Sequence, residues 1–516
     1  MTSKKSKNFL FNFFSSSLPI LASRILGLVR DLFFAKYLGG TAIADVVLAS
    51  TKIPNALRRA FGEGAVANSF IPIFSEDLKN KKDKDAKIFA SRSYSVLFWF
   101  MLTLTAVIEI FMPSVLRVLL PGFANNPEQF KLAIDLSRIV FPFLIFMSLY
   151  SFFTSILQSV KRFALAMFVN LILNAIIIAT ILVYHSSALI GYYVILAYLV
   201  SSMIMFTITK MYSDKKYSEV SLISPFKIKS ILKDNKIKLF IKNIIPGLLN
   251  TAIIFSGTLF ASFYAGAVSW LYYAERLTQF PFGIIGVPLS MILLPYSSKA
   301  KSKKERFVYQ NKAFELSSLL MIPCALGLIF FGGYISSLVF ERGLFTAIDN
   351  AQTYKAMILL AIGVPFLSYI RIVSTAFYSD KDTKTVFYHT VFSFAISIAM
   401  MITLRKYMGY LAIPFASTSS NIILFATLAN AAYKRGLFAL KASVVKNTIL
   451  MLVSGVVMGV SVYYLSNALL TNTWLNIGIL SKVLYVGLVI LFGALIYGIS
   501  LIATGVLNKQ FIRSIR

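Results

Sequence analysis

The chain has 516 residues, of which 58% are hydrophobic and only 14% are charged, and its mean hydropathy is +0.76. A soluble protein of this length would need far more polar surface, so the composition excludes one and indicates a polytopic membrane protein. The formal net charge of +31 does not indicate a nucleic-acid binder, because the basic residues cluster in short loops between apolar segments.

Apolar runs of about 20 residues, separated by polar residues or by proline and glycine, predict fourteen membrane-spanning helices. Every second connection between the spans is rich in lysine and arginine, and the remaining connections contain few basic residues. By the positive-inside rule both termini are cytoplasmic, and an even number of spans agrees with this. The predicted spans are 9–38, 42–73, 88–118, 132–157, 163–184, 187–210, 241–265, 269–297, 307–335, 353–378, 386–404, 410–433, 446–467 and 478–506.

The longest connection, 210–242, is rich in lysine and lies near the middle of the chain. Its second half places Phe226, Ile231, Leu232 and Leu239 among lysines, as an amphipathic helix on an anionic leaflet would. For its first half, a solvated basic linker is an equally good interpretation.

The two sides of this linker carry a faint internal repeat. Spans 1–6 and 7–12 would enter the membrane with the same orientation, which predicts a parallel repeat with the substrate site between the halves, near the midplane. We therefore predict an all-α membrane protein of two pseudo-symmetric six-helix bundles plus two extra C-terminal helices. The predicted divisions are an N-terminal lobe at 1–215, the linker at 216–242, a second lobe at 243–440, and spans 13 and 14 at 441–516. The matching pairs are Pro19 and Pro246, Gly39 and Gly266, and Pro54 and Pro281, each 227 residues apart, and Pro72 and Pro295, which are 223 apart.

Charged residues within the predicted spans are the strongest functional signal. A charge at the bilayer centre costs roughly 2.5–3.5 kcal/mol, so such a residue must face a wet cavity, a counter-charge or an anionic ligand. Arginines outnumber acids at depth, and guanidinium groups suit phosphate oxygens. These positions therefore predict a cationic cavity. The arginines are Arg24, Arg30, Arg58, Arg59 and Arg276.

Most of these arginines also have a structural interpretation. Arg58 and Arg59 lie towards one end of span 2, where long side chains snorkel to the interface. Arg30 adjoins Asp31, and the two would form an internal ion pair that locks span 1 to a neighbouring helix. Arg24 has no acid within one helical turn, so a purely structural role explains it least well.

Two acids lie close to these arginines in the sequence. Glu275 adjoins Arg276, and a structural pair between them is the alternative to a substrate role. Glu63 follows Arg59 by four residues and can pair with it.

The sequence contains no recognisable catalytic constellation. It has no Walker-type glycine loop, and its loops carry no convergent pair of acids. His185 and His389 are far apart, and Cys324 is the single cysteine, so neither a metal site nor a disulfide is predicted. We expect a transporter without cofactors, not an enzyme.

Five segments, distributed over essentially the whole chain, resemble the MurJ/MviN family. These are the bacterial lipid II flippases of the multidrug/oligosaccharidyl-lipid/polysaccharide exporter superfamily. The segments are SRILGLVRD (23–31), KIPNALRRAFGEGAVANSFIPIF (52–74), PGFA (121–124), SWLYYAERLTQFPFGIIGV (269–287) and SDKDTKT (379–385).

The resemblance implies a flippase in the bacterial inner membrane that serves peptidoglycan synthesis and cell shape. Lipid II would move from the cytoplasmic to the periplasmic leaflet by alternating access, with its diphosphate in a cationic central cavity. Spans 13 and 14 would form a groove for the undecaprenyl tail. The implied partners are lipid II, membrane lipids and other cell-wall synthesis proteins, with no nucleic acid.

The resemblance also implies the site residues, because each falls inside or beside a matched segment. Arg59, Glu63 and Glu275 would support the site. A polysaccharide-lipid flippase and a drug:cation antiporter remain alternatives on the same fold, although a net positive cavity argues against organic cations as substrates. The implied substrate-binding residues are Ser23, Arg24, Arg30, Asp45, Arg58 and Arg276.

Overall fold

The computed structural model describes most of the chain. The described residues are 25–58, 65–80, 83–160, 162–216, 219–286, 288–290, 293, 302–380, 382–470 and 478–507. They divide into two compact units, unit 1 (Met1–Val268) and unit 2 (Ser269–Arg516). Ser23, Arg24, Arg59 and Glu63 lie outside the described residues.

Unit 1 is built of helices, and its longest connection leads from α9 to α11 by way of the short helix α10. Its longest helices, α4, α9 and α11, have 27 or 28 residues each. The helices are α1 (25–38), α2 (Ala42–Arg58), α3 (Ala65–Lys79), α4 (Asp83–Ile110), α5 (Met112–Leu119), α6 (Pro127–Val140), α7 (Phe143–Ser159), α8 (Phe163–Tyr184), α9 (Ile190–Lys216), α10 (Ile228–Ile231) and α11 (Asn235–Ala261).

The core of unit 1 contains a cluster of aromatic rings. Phe70 of α3 is fully buried and meets the ring of Phe152 on α7 at 4.8 Å between centroids. α3 also packs against α11, and α2 packs against α6. The start of the predicted second lobe, α11, thus contacts the helices of unit 1. The lobe boundaries at 215 and 243 stay a prediction.

Unit 2 begins within the first turn of α12 and is also helical throughout its described part. α13 packs against α14 and α17, α14 against α16, and α17 against α18. The helices are α12 (Ala267–Pro281), α13 (Lys303–Phe340), α14 (Ala347–Ser379), α15 (Thr383–Met408), α16 (Ala412–Lys434), α17 (Ala442–Leu470) and α18 (Ile479–Ala503), with a π-helical turn at Phe282–Gly286.

Each predicted span overlaps at least one of these helices, although several spans are broken. Span 4, for example, consists of α6 and α7, which are interrupted at Phe141 and Pro142. Eight stretches of the described chain are long and apolar enough to cross a membrane, and two of them, Pro127–Ser159 and Thr383–Lys434, each hold two successive α-helices. The count of fourteen spans stays a prediction.

The predicted repeat has a counterpart in the backbone. Gly39 and Gly266, which are 227 residues apart, both have positive φ, at 62° and 80°. Glycine adopts this left-handed conformation without the steric penalty that other residues meet. Gly39 directly follows the last residue of α1, and Gly266 directly precedes α12, so each lies in a turn between two helices.

α17, the first of the two C-terminal helices, packs against α13 through small residues. Gly455 and Gly459 lie one turn apart on α17 and face α13. A Cβ added at Gly459 would lie 2.3 Å from the ring of Phe330, and one at Gly455 would lie 2.6 Å from Leu326. Small residues at this spacing let membrane helices approach closely. Sequence reasoning did not single them out.

Gly459→Ala is therefore expected to destabilise unit 2 by about 1–3 kcal/mol, the usual effect of overpacking. The measurement is unfolding of the purified protein in detergent. Gly487→Ala on α18 is the matched control, because no atom lies within 4 Å of the added methyl group. Equal stability of the two variants would contradict the close α13–α17 contact.

Candidate functional site

Arg30 and Asp31 form a buried ion pair in the middle of α1. Arg30 is 9% exposed and Asp31 is 2% exposed. Both Nη2 and Nε of Arg30 donate to Oδ1 of Asp31, at 2.8 and 3.1 Å. The arginine charge is therefore compensated locally, which is what the cost of burying a charge requires.

The same arginine reaches a second helix. Its Nη1 donates to Oδ1 of Asn174 on α8 at 3.1 Å, and its guanidinium carbon lies 5.6 Å from the ring centre of Phe34. The ion pair that locks span 1 to a neighbour is thus present in the structure, and α8 is that neighbour. Asn174 was missed by sequence reasoning, and its only signal was an amide within an apolar run.

Asp45 lies in the first turn of α2 and is fully buried. Its Oδ2 accepts a hydrogen bond from the backbone N–H of Gly266 at 2.7 Å. The carboxylate thus ties the start of α2 to the turn after α11. This contact was not predicted, and the role of Asp45 in substrate binding stays a prediction.

A second contact holds the same turn. The backbone N–H of Gly122, in the PGFA segment, donates to Oγ of Ser262 at 3.0 Å. A Cβ at Gly122 would lie 2.2 Å from the carbonyl carbon of Ser262, so only glycine fits without moving the backbone. The end of α11 is therefore attached to both α2 and the PGFA turn.

Gly122→Ala is expected to destabilise unit 1 by at least about 1–3 kcal/mol, because the methyl group collides with backbone atoms that have no rotamer to change. Ser262→Ala removes only the hydrogen bond and should cost about 0.5–1.5 kcal/mol. Unfolding of both variants in detergent measures the difference. The reverse order would show that the hydrogen bond, and not the close approach, holds the turn.

Arg58 is the last residue of α2 and is half-buried. Its Nε donates to Oδ1 of Asn55 at 3.3 Å, and Nδ2 of Asn55 in turn donates to the carbonyl oxygen of Thr51 at 2.9 Å. The side chain of Arg58 is thus oriented by an amide one turn earlier on its own helix.

Arg276 of unit 2 is oriented by an aromatic residue. Its Nη2 donates to the hydroxyl of Tyr272 at 3.0 Å, and its guanidinium carbon lies 4.6 Å from the centre of that ring. Tyr272 precedes Arg276 by one helical turn, the spacing at which side chains on a helix meet. Glu275 is half-buried on the same helix. The i, i+4 spacing of Tyr272 and Arg276 could have shown this contact from the sequence.

The SDKDTKT segment has a structural role between α14 and α15. Asp380 pairs with Arg306 at 2.7 Å, and Asp382 pairs with Arg435 at 2.5 Å. Hydrogen bonds from the hydroxyl and the N–H of Thr385, and then Arg435, lower the pKa of Asp382 to about 2. The carboxylate is therefore charged at all physiological pH values and caps α15.

Comparison with known proteins identifies the family. The family model described as lipid II flippase MurJ matches residues 34–485. The probable lipid II flippase MurJ of Rickettsia prowazekii (strain Madrid E) is 33% identical over 402 residues, which cover 76% of this chain and 77% of the relative. The chain belongs to the MurJ family.

Other MurJ proteins extend the match. The probable lipid II flippase MurJ of Rhizobium tropici is 29% identical over 505 residues, covering 96% of this chain and 94% of the relative. A solved structure described as lipid II flippase MurJ in an inward closed conformation is 25% identical, with a TM-score of 0.78, and covers 94% of this chain and 97% of its own. The all-α polytopic membrane fold and the predicted family are confirmed.

A more distant solved structure has the same fold. It is described as the inward-facing conformation of a multidrug resistance MATE family transporter of the MOP superfamily, is 14% identical, and has a TM-score of 0.65. This likeness concerns the fold alone.

Asp45, Arg58 and Arg276 lie within the residues that the MurJ family model matches, and Arg30 lies just before them.

Proposed function

We propose that this protein moves lipid II across the bacterial inner membrane, from the cytoplasmic to the periplasmic leaflet, by alternating access. Membership of the MurJ family is the observation that carries the proposal. The family model matches most of the chain, and its description is lipid II flippase. The basic connections of the sequence support cytoplasmic termini and hence this direction.

The arginines supply the chemistry that a diphosphate lipid needs. A guanidinium group is planar and carries its N–H donors in a fork that matches two phosphate oxygens. At Arg276 the ring and hydroxyl of Tyr272 fix the plane of this fork. We assign Arg276 to the substrate diphosphate on this geometry.

Arg30 would act differently, because Asp31 and Asn174 already hold it. A phosphate that binds Arg30 must compete with the Asp31 carboxylate. A phosphate that also displaced Asn174 from Nη1 of Arg30 would loosen the link between α1 and α8. The protein thus works as a transporter whose binding residues change partners, with no catalytic step.

The test is rescue of bacterial cells depleted of their own lipid II flippase, followed by transport of lipid II in vesicles that contain the purified protein. Rescue and lipid II transport are expected. A protein that moves a polysaccharide-linked diphosphate lipid but not lipid II in the same vesicles would contradict the proposed substrate.

A further inference from the structure

The segment between α9 and α11 is attached to α4 by side chains on one face of that helix. The backbone N–H groups of Ser221 and Ile223 donate to the hydroxyls of Ser91 and Ser95, at 3.3 and 2.8 Å. Nε1 of Trp99 donates to the carbonyl oxygen of Ile223 at 3.0 Å. Ser91, Ser95 and Trp99 are each four residues apart, so they form one stripe along the helix.

The segment returns to the same helix further along the chain. Asp234 pairs with Arg92 of α4 at 2.5 Å, and Lys236 pairs with Asp77 of α3 at 2.6 Å. The chain between Ile223 and Asp234 is thus bound to α4 at both of its ends. This part of the chain contains α10. The structure thus has a short helix here, followed by the start of α11, where the sequence predicted one amphipathic helix.

The attachment places this loop at the level of the bilayer surface. The sequence of α4 carries no charge from 93 to 108, so the membrane-spanning part of the helix begins just after Arg92. Trp99 lies about 10 Å beyond Arg92, at 1.5 Å per residue. Tryptophan is enriched at the membrane–water interface. On this preference we place Ile223, which is bound to Trp99, at that interface.

The largest exposed side chains of 222–239 are apolar or basic, and serines lie between them. Phe226 follows Pro225 and is 94% exposed, and Leu222, Leu232 and Leu239 are also exposed. The two acids of the segment, Glu219 and Asp234, pair with basic residues of α4. Four lysines of 222–239 have exposed side chains and no ion-pair partner among the described residues: Lys227, Lys229 and Lys233, which precede α11, and Lys238 in the first turn of α11.

We propose that the segment 222–239 is a binding surface for anionic phospholipids. Phe226 enters the acyl region beside α4, and the four exposed lysines bind headgroup phosphates. Apolar side chains interleaved with lysines are the pattern that binds the interface of an anionic bilayer. A soluble partner fits less well, because Phe226 emerges where α4 enters the membrane.

The first test measures the depth of Phe226. The single cysteine is removed by Cys324→Ala, and a spin label is attached at Phe226→Cys in nanodiscs that contain phosphatidylglycerol. We expect the label to collide more with oxygen, which concentrates in the acyl region, than with a water-soluble nickel chelate. Lys304→Cys, at the exposed start of α13, is the control and should show the opposite preference.

The second test measures lipid preference. Spin-labelled phosphatidylglycerol is expected to associate with the native protein more than phosphatidylcholine does, and the preference should weaken at high salt. Replacing the four exposed lysines of the segment by glutamine should remove most of it. A control variant removes the same charge elsewhere and should retain the preference for phosphatidylglycerol. It replaces four exposed lysines of unit 2 by glutamine: Lys303, Lys304, Lys434 and Lys441. A water-exposed label at Phe226, or an unchanged preference in the first lysine variant, overturns the proposal.

Discussion

Arg30→Ala is expected to abolish lipid II transport and to lower the free energy of unfolding by about 3–5 kcal/mol, the usual effect of breaking a buried ion pair. The reason is that Asp31, only 2% exposed, would keep its charge without the guanidinium that compensates it. The link to Asn174 on α8 would be lost at the same time. Denaturant unfolding in detergent and lipid II transport in vesicles measure the two effects.

The double variant Arg30→Ala with Asp31→Ala separates the two roles. Removing the carboxylate also removes the uncompensated charge, so most of the lost stability should return. Transport should stay absent if Arg30 binds the diphosphate. Recovery of transport together with stability would show that Arg30 serves only to neutralise Asp31.

Arg276→Ala should also abolish transport, but with a smaller loss of stability than Arg30→Ala, because Arg276 is half-buried and not fully buried. Loss of a charged hydrogen bond to the substrate would cost about 1.5–3 kcal/mol, which is roughly 10- to 100-fold in affinity. Arg276→Lys should also transport lipid II poorly, since the compact ammonium group of lysine cannot replace the planar guanidinium group. Binding and transport of lipid II by purified variants provide the measurement.

Two further variants control for the surroundings of Arg276. Tyr272→Phe keeps the ring and removes the hydroxyl, so a partial loss of transport is expected. Glu275→Ala combined with Arg276→Ala should remain inactive. If that double variant regains transport, Arg276 is a structural partner of Glu275 and has no place in the binding site.

Much of the fold could be predicted because a membrane-spanning helix is specified within one contiguous segment. About 20 apolar residues satisfy both the thickness of the bilayer and the hydrogen-bonding needs of the backbone. Each predicted span accordingly overlaps a helix. The match of Gly39 with Gly266 was visible in the sequence for a similar reason, since each glycine meets the local requirement of a turn with positive φ.

The partners of the charged residues could not be predicted in this way. Arg30 and Asn174 are 144 residues apart, and Asp45 and Gly266 are 221 apart. Helix periodicity assigns each residue to a face of its own helix but does not say which helix that face meets. The sequence by itself thus determined the helices, and it predicted an excess of arginine within the spans. Only the tertiary structure decided that Arg30 is already neutralised by Asp31 and that Asp45 holds a backbone amide, because these contacts depend on the packing of distant segments.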